Sequence, residues 1–245
     1  MGDARTAAAL IVGNEILSGK VEEANLAVLA RALRPIGVSL RRVVVVPDDV
    51  ATIAAEVRAL SAAHDAVFTS GGVGPTHDDV TVEAVAAAFG ARVVEAPAMA
   101  ELLRAHYRER LTEGHLRMAL VPEGAALETT DDVRWPTIRM RNVWLMPGIP
   151  EVFRMKVPVV IAKLGAGRRF VSFAVYTQMD EGDLKPLLDA VVARFPDVDV
   201  GSYPKWADPS YRTKLTFDGQ DEARALAARD AFIATLPSGE PQRVE

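Results

Sequence analysis

The sequence predicts an α/β fold on a mostly parallel sheet, followed by a small α+β domain. Three observations point there. Strand-sized apolar runs alternate with amphipathic helical runs through the first half. A glycine-rich turn, Gly71-Gly72-Val73-Gly74-Pro75, follows the third apolar run and feeds a helix. After Gly165-Ala166-Gly167 the style changes to alternating strands and Ala-rich helices.

Each element has its own reason. Residues 6–12 are uniformly apolar, as a strand buried on both faces must be. Asn25–Leu33 has helical spacing, and Pro35 with Gly37 stops it. Val38–Val46 is the second strand. Val50–Ala63 is an Ala-rich helix for which Asp48 or Asp49 can supply the cap. Ala66–Ser70 is the third strand, and residues 80–89 form a helix ended by Gly90. Residues 97–111 read as a helix and 114–130 as irregular. Residues 138–146 read as two short strands around Arg141-Asn142. Pro150 opens a helix to about Leu164. The tail reads as strand 170–177, helix 182–195, strands 198–203 and 211–217, and helix 221–236. The expected division is therefore 1–167 and 168–245.

Composition narrows the chemistry. Of 245 residues, 49% are hydrophobic and 25% charged, so the chain can bury a core and is not disordered as a whole. A net charge of −5 offers no electrostatic footprint for nucleic acid, and no nucleic-acid partner is expected. The absence of cysteine excludes disulfides, thiolate metal sites and cysteine nucleophiles. The 4 histidines, His64, His77, His106 and His115, lack the spacing of a zinc-binding helix. No apolar run reaches membrane-span length, and the N-terminus turns polar too soon for a signal peptide. No membrane partner is expected, and the expected address is the cytoplasm.

Ligands of open parallel sheets bind beyond the carboxyl ends of the strands. Three such ends carry Gly13-Asn14-Glu15 through Ser18-Gly19, then Pro47-Asp48-Asp49, then Gly71 through Thr81. Glu15, Asp48, Asp49, Asp78 and Asp79 should share that edge. Gly71, Gly72 and Gly74 let backbone N–H groups approach an anion, and the following helix adds its positive end. Thr76 and Thr81 add hydroxyls. A tight turn whose aspartates merely cap a helix is the competing reading. Several acids beside a phosphate repel it unless a cation lies between, as Mg²⁺ does with one or two carboxylates. His77 reads as a loop residue. Arg104, His106 and Arg108 read as a solvated helix face. Trp135, Trp144 and Trp206 share no stacking period and read as core or interface packing.

Three ordered motifs then carry a resemblance. They are Val12-Gly13-Asn14-Glu15-Ile16-Leu17-Ser18-Gly19 with Asn25, the run Gly71-Gly72-Val73-Gly74-Pro75-Thr76-His77-Asp78-Asp79-Val80-Thr81-Val82-Glu83-Ala84, and Pro147-Gly148-Ile149-Pro150-Glu151. Residues 5–165 resemble the molybdopterin-binding (MoaB/Mog-like) domain. The form with Gly-Pro-Thr-x-Asp-Asp is similar to the N-terminal domain of the competence/damage-inducible protein A family and to the corresponding domain of FAD synthases. The tail, with Gly201-Ser202-Tyr203-Pro204, resembles the small domain that follows it in those relatives.

The resemblance implies a three-layer sandwich, a homo-oligomer, and a small-molecule pterin or nucleotide ligand. It implies that Asp48 and Asp79 are the important acids, with Glu83 in the same motif. In relatives sharing the Asp78-Asp79 pair it implies metal-dependent hydrolysis of a pyrophosphate in ADP-ribose or FAD. Val73 stands where Thr or Leu is more usual. Neither the amidase part of the competence protein nor the FAD-synthesising domain is expected within these residues. The expected chemistry is thus a nucleotide pyrophosphatase. Gly71, Gly72, Gly74 and Thr76 would hold phosphate, and Asp48, Asp78 and Asp79 would hold Mg²⁺ or orient water. Gly13, Glu15, Ser18, Asn25, Pro75, Thr81, Glu83, Pro147 and Gly148 complete the expected ligand contacts. The alternatives are a molybdopterin adenylyltransferase-like enzyme and a non-catalytic molybdopterin-binding protein.

Overall fold

A computed structural model describes residues 5–206 and 209–245. Backbone contacts divide the chain into two compact units, Met1–Gly167 and Arg168–Glu245. The first four residues of the expected 1–167 domain lie outside the described residues.

The first unit begins with strand β1 (Arg5–Val12), a short helix α1 (Asn14–Leu17) and helix α2 (Asn25–Leu33). There follow β2 (Val38–Val46), α3 (Val50–Ala63), β3 (Ala66–Ser70) and α4 (Thr81–Ala88). Next come β4 (Val93–Glu95), α5 (Pro97–Tyr107), α6 (Glu113–Arg117), β5 (Leu120–Pro122) and β6 (Ala126–Glu128). The unit closes with β7 (Thr137–Met140), β8 (Val143–Met146) and α7 (Pro150–Leu164). The six-stranded sheet has the order β2-β1-β3-β8-β7-β6. Its first four strands are mutually parallel, and β7 and β6 continue it antiparallel. The sheet is thus mixed but mostly parallel.

Alternation along β1 shows why two helical layers are needed. Ala8, Leu10 and Val12 enter one core, with Ile53 and Val57 of α3, Val85 of α4 and Leu103 of α5. Ala7, Ala9 and Ile11 enter the other, with Leu29 and Leu33 of α2 and Phe153 and Val160 of α7. Successive strand side chains point to opposite faces, so an all-apolar strand requires cover on both. The structure corrects the stretch read as irregular. Residues 114–130 contribute to α6 and hold β5 and β6, and β5 pairs antiparallel with β4. Helix α5 ends at Tyr107, short of the expected residue 111, and passes into a 3₁₀ turn.

Two charged groups are built into this unit. Glu128 accepts from Arg139 Nε at 2.9 Å and lies 3.0 Å from Lys163 Nζ, tying β6 to β7 and α7. The Arg139 hydrogen bond, followed by Lys163, holds the Glu128 carboxyl below its ordinary range despite burial. That interaction is fully present above the unfolded-state value and is lost as pH falls through the lower folded one. Glu128→Gln is expected to cost about 1–2 kcal/mol at pH 7. The cost should shrink under acid, which denaturant melts at pH 7 and pH 3 will check.

Lys156 on α7 is the second. Its side chain donates to the Trp135 carbonyl at 3.4 Å and to the Pro136 carbonyl. Burial pushes its ammonium down to about 8. Because the folded value lies below the unfolded one, its contribution to stability grows as pH rises through that window. The melting temperature of the wild type should therefore rise relative to Lys156→Met between pH 8 and pH 10. Parallel curves would show a lysine with an ordinary titration.

The second unit comprises β9 (Val171–Thr177), α8 (Glu181–Arg194), β10 (Asp199–Pro204), β11 (Thr213–Gly219), α9 (Glu222–Ile233) and β12 (Arg243–Val244). The sheet order is β10-β11-β9-β12, wholly antiparallel. Val175, Leu215 and Phe217 pack with Leu184 and Val191 of α8 and Ala228 and Phe232 of α9. Among the tryptophans, Trp144 is buried and Trp135 packs on the core, as expected of packing residues. Trp206 is not core: it is 94% exposed. No helix among the described residues is long and apolar enough to cross a membrane.

Candidate functional site

Because β2, β1, β3 and β8 are adjacent and parallel, the segments after all four emerge at one sheet edge. Sequence reasoning placed the first three there; the fourth brings Pro147 and Gly148. Backbone hydrogen bonds knit the exits together. Gly13 N donates to Val46 O at 3.1 Å, and Gly71 N donates to Met146 O at 3.1 Å.

Gly71 and Gly72 have φ of 105° and 68°, the left-handed region that favours glycine. A Cβ on Gly71 would lie 2.2 Å from the Val12 carbonyl oxygen, and one on Gly72 would lie 2.3 Å from Thr81 Oγ1. The loop is therefore pressed against β1 on one side and the start of α4 on the other. Thr81 fastens it, its hydroxyl donating to Gly71 O at 2.9 Å and its amide to Gly72 O at 2.9 Å. Thr81 is buried, so its role is to shape the loop. The backbone N–H groups of Gly72, Val73 and Gly74 have no protein acceptor among the described residues. Unpaired amides in a left-handed turn before a helix form an anion-binding concavity.

The acids divide by role. Asp49 caps α3, accepting from the Thr52 amide at 2.8 Å, and the Thr52 hydroxyl and amide hold its carboxyl below the ordinary value. Asp48 Oδ2 accepts from Asn14 N at 2.8 Å, linking the first two loops. Asp79 Oδ2 accepts from Thr76 N at 2.8 Å and from the Thr76 hydroxyl. It is thus no cap for α4, whose N-cap is Val80 without a side-chain bond. Instead it closes the Pro75–Thr76 turn beside Gly74, where a Cβ would meet its Oδ2 at 2.7 Å. Asp78 is exposed, and the Thr76 hydroxyl first, then the Asp78 amide and nearby His77, keep its carboxyl below the usual range. His77 is exposed and its ring lies 3.9 Å from Asp78, the position of a loop residue.

The remaining residues fall into place around this edge. Glu15 folds back over Gly13, and Ser18 donates to Glu15 O at 3.3 Å. Pro75 and Thr76 are exposed at the loop tip, and Gly148 is exposed after β8. Asn25 is buried, donating to Ser70 Oγ at 3.0 Å and Gly148 O at 2.8 Å, while its Oδ1 has no partner. It joins α2 to the ends of β3 and β8. Glu83, in the first turn of α4, lies 4.0 Å from Arg117 Nη2. Both line a cleft with Val73, Gly74, Asp79 and Met118. Sequence reasoning missed Arg117, a cation brought to the glycine loop by α6. No local spacing announced it.

Among the described residues no three His, Asp or Glu side chains come together as a metal cage. Asp48 and Asp79 each spend an oxygen on a loop amide, and Asp78 is exposed. This donor set fits an ion shared with a ligand's phosphates, which needs only one or two carboxylates, and does not fit a resident ion held by protein alone.

A glycine loop with unpaired amides thus lies at the carboxyl edge of a mostly parallel, doubly covered sheet, the edge at which open α/β sheets bind their ligands. The chain belongs to the molybdopterin-binding domain family: residues 8–165 match the family described as "Probable molybdopterin binding domain". Residues 169–245 match the family "FAD synthase, middle domain". A relative from Archaeoglobus fulgidus, named only as a protein, is 34% identical over 92% of this chain and 95% of its own length. A Caenorhabditis elegans relative named "Probable FAD synthase" is 32% identical over 96% of this chain and 50% of its own. The chain thus spans about half the length of that relative. Among solved structures, the protein CinA from Thermoplasma acidophilum, described as of unknown function, aligns with a TM-score of 0.60. It is 29% identical over 66% of this chain and 99% of its own.

Proposed function

We propose that the protein hydrolyses the pyrophosphate bond of a nucleotide diphosphate derivative such as ADP-ribose or FAD, with a divalent cation such as Mg²⁺. The observation that carries this reading is the set of unpaired amides at Gly72, Val73 and Gly74 beside the ionised Asp78 and the Asp79 clamp. The amides bind phosphate oxygens and orient the anion without any change in the loop. Arg117, adjoining Gly74 in the same cleft, supplies a cationic donor for the far phosphate. Asp48, Asp78 and Asp79 are the carboxylates that hold the cation or orient water, and Asp79 also keeps the loop in shape through its Oδ2. A bound Mg²⁺ supplies charge neutralisation and a water of lowered pKa. The match of the tail to the FAD synthase middle domain supports a dinucleotide substrate. Exposed Val43 and Val45 on edge strand β2 support self-association into a homo-oligomer.

A second reading, binding of molybdopterin or its nucleotide without turnover, is favoured by one observation. Asp48 and Asp79 already serve loop amides, which leaves few carboxylate oxygens for chemistry. An adenylyltransferase-like step on molybdopterin is the third. Incubation with ADP-ribose, FAD, and molybdopterin plus ATP, with Mg²⁺ or with chelator, separates the three. Mg²⁺-dependent release of AMP from ADP-ribose or FAD is expected. Adenylylation of molybdopterin, or tight binding with all substrates intact, would replace the proposal with one of the others.

A further inference from the structure

Strand β2 is an edge of the six-stranded sheet, and among the described residues it pairs with β1 alone. Its last residue faces inward, because Val46 O accepts from Gly13 N at the β1 exit. Backbone groups alternate in direction along a strand paired on one side. Val45 and Val43 therefore turn their N–H and carbonyl groups to the open edge. Both side chains are also exposed, at 40% each. Such an edge is a template for another strand.

The charges along this edge are ordered. The run Arg41-Arg42-Val43-Val44-Val45-Val46-Pro47-Asp48-Asp49 has two cations at one end, two acids at the other and an apolar middle. Arg41 and Arg42 are exposed and have no ion-pair partner among the described residues. Asp49 is exposed and Asp48 half-buried, in a turn closed by Asp49 N donating to Pro47 O at 2.8 Å. Turned end for end, the run complements itself. A two-fold axis at Val45 sets Val44 opposite the partner's Val46. It also carries Arg41 and Arg42 to the turn that holds the partner's Asp48 and Asp49, and a two-fold interface makes each such contact twice. An axis at Val43 or Val44 would set the arginines against apolar residues, and one at Arg42 would set like charges face to face.

We propose that two copies of this chain join β2 to β2, antiparallel, about a two-fold axis at Val45, so that the two sheets continue as one. It rests on the homo-oligomer reading and gives that reading a surface and a register. Val45 and the partner's Val45 exchange both backbone hydrogen bonds. Asp48 links to Asn14 at the carboxyl edge that also carries the glycine loop, so the partner's arginines come to the rim of that edge.

The chain holds no cysteine, so a single introduced thiol reports the register. Opposed residues that exchange hydrogen bonds lie about 5.5 Å apart between Cα atoms, within disulfide reach. Val43 and the partner's Val43 would be offset by roughly 14 Å along the strands, out of reach. In the full chain, Val45→Cys is expected to give a disulfide-linked dimer under mild oxidation, and Val43→Cys is not. Light scattering should find the wild type dimeric. The double variant Arg41→Glu, Arg42→Glu should dissociate roughly tenfold more readily or more, with an unchanged melting temperature. A wild-type monomer at submillimolar concentration, a trimer, or a dimer indifferent to the double substitution would overturn the proposal. So would equal cross-linking at Val43 and Val45. AMP release is read separately. A missing cross-link with AMP release intact overturns this interface alone, and a formed cross-link without AMP release overturns the hydrolase reading alone.

Discussion

Gly72→Val is expected to lower affinity for ADP-ribose or FAD by 100-fold or more, roughly the loss of two or three charge-assisted hydrogen bonds. At φ 68° a β-branched side chain is strained in its backbone alone. Its Cβ would also sit 2.3 Å from Thr81 Oγ1, so Thr81 must move. Moving Thr81 releases the Gly71 and Gly72 carbonyls that it and its amide hold, and with them the aim of the neighbouring amides. The same events cost stability, about 2–3 kcal/mol. Gly72→Ala, with less bulk but the same unfavourable φ, should lose affinity in the same direction with a smaller fall in melting temperature. Calorimetric binding and thermal melts on both variants give the comparison. Retained affinity in a folded valine variant would remove this loop from the site.

Asp79→Asn is expected to reduce pyrophosphate hydrolysis by roughly 10²-fold while leaving most of the fold's stability in place. Asparagine keeps one acceptor oxygen, so the Thr76 amide retains a partner. It loses the charge that strengthens both bonds from Thr76, and the negative potential beside Gly74 falls by one unit. If Asp79 only shaped the turn, the melting temperature would drop slightly and turnover would follow the small loss of affinity. Turnover that collapses at saturating substrate, with an intact melt, places the carboxylate's charge in the reaction. Unchanged turnover would make Asp79 a structural clamp and leave Asp48 and Asp78 as the working acids.

Much of this edge could be read from the residues, for physical reasons. Helices Asn25–Leu33 and Val50–Ala63 and strands Val38–Val46 and Ala66–Ser70 have the expected bounds, because each is long, periodic and punctuated. Asp49 beside Thr52 is a cap whose chemistry is local. A parallel sheet then forces the strand exits together, so Gly13, Asp48 and Gly71 had to share an edge. Three-residue strands such as Val93–Glu95 and Leu120–Pro122 carry too few side chains to show a period, and they pair across intervening helices. Helix Glu113–Arg117 is capped by a reciprocal Thr112–His115 pair, where a sequence search looks for Glu or Gln. Arg117 reaches the glycine loop, and Asn25 reaches Ser70 and Gly148, only through tertiary packing. The exposure of Trp206 is likewise a property of the folded sheet end. The acids illustrate the same limit: residue type announced a charged edge, but hydrogen bonding divides it into a cap, a loop link and a clamp.

In the proposed site the amides of Gly72, Val73 and Gly74 hold a pyrophosphate. The most direct measurement is a ¹H–¹⁵N titration of the full chain with ADP-ribose and Mg²⁺, followed at those three backbone signals. Large, saturable downfield shifts are expected at all three, as amides without a protein acceptor gain a charged one. Saturable binding that leaves these three signals unmoved would contradict it.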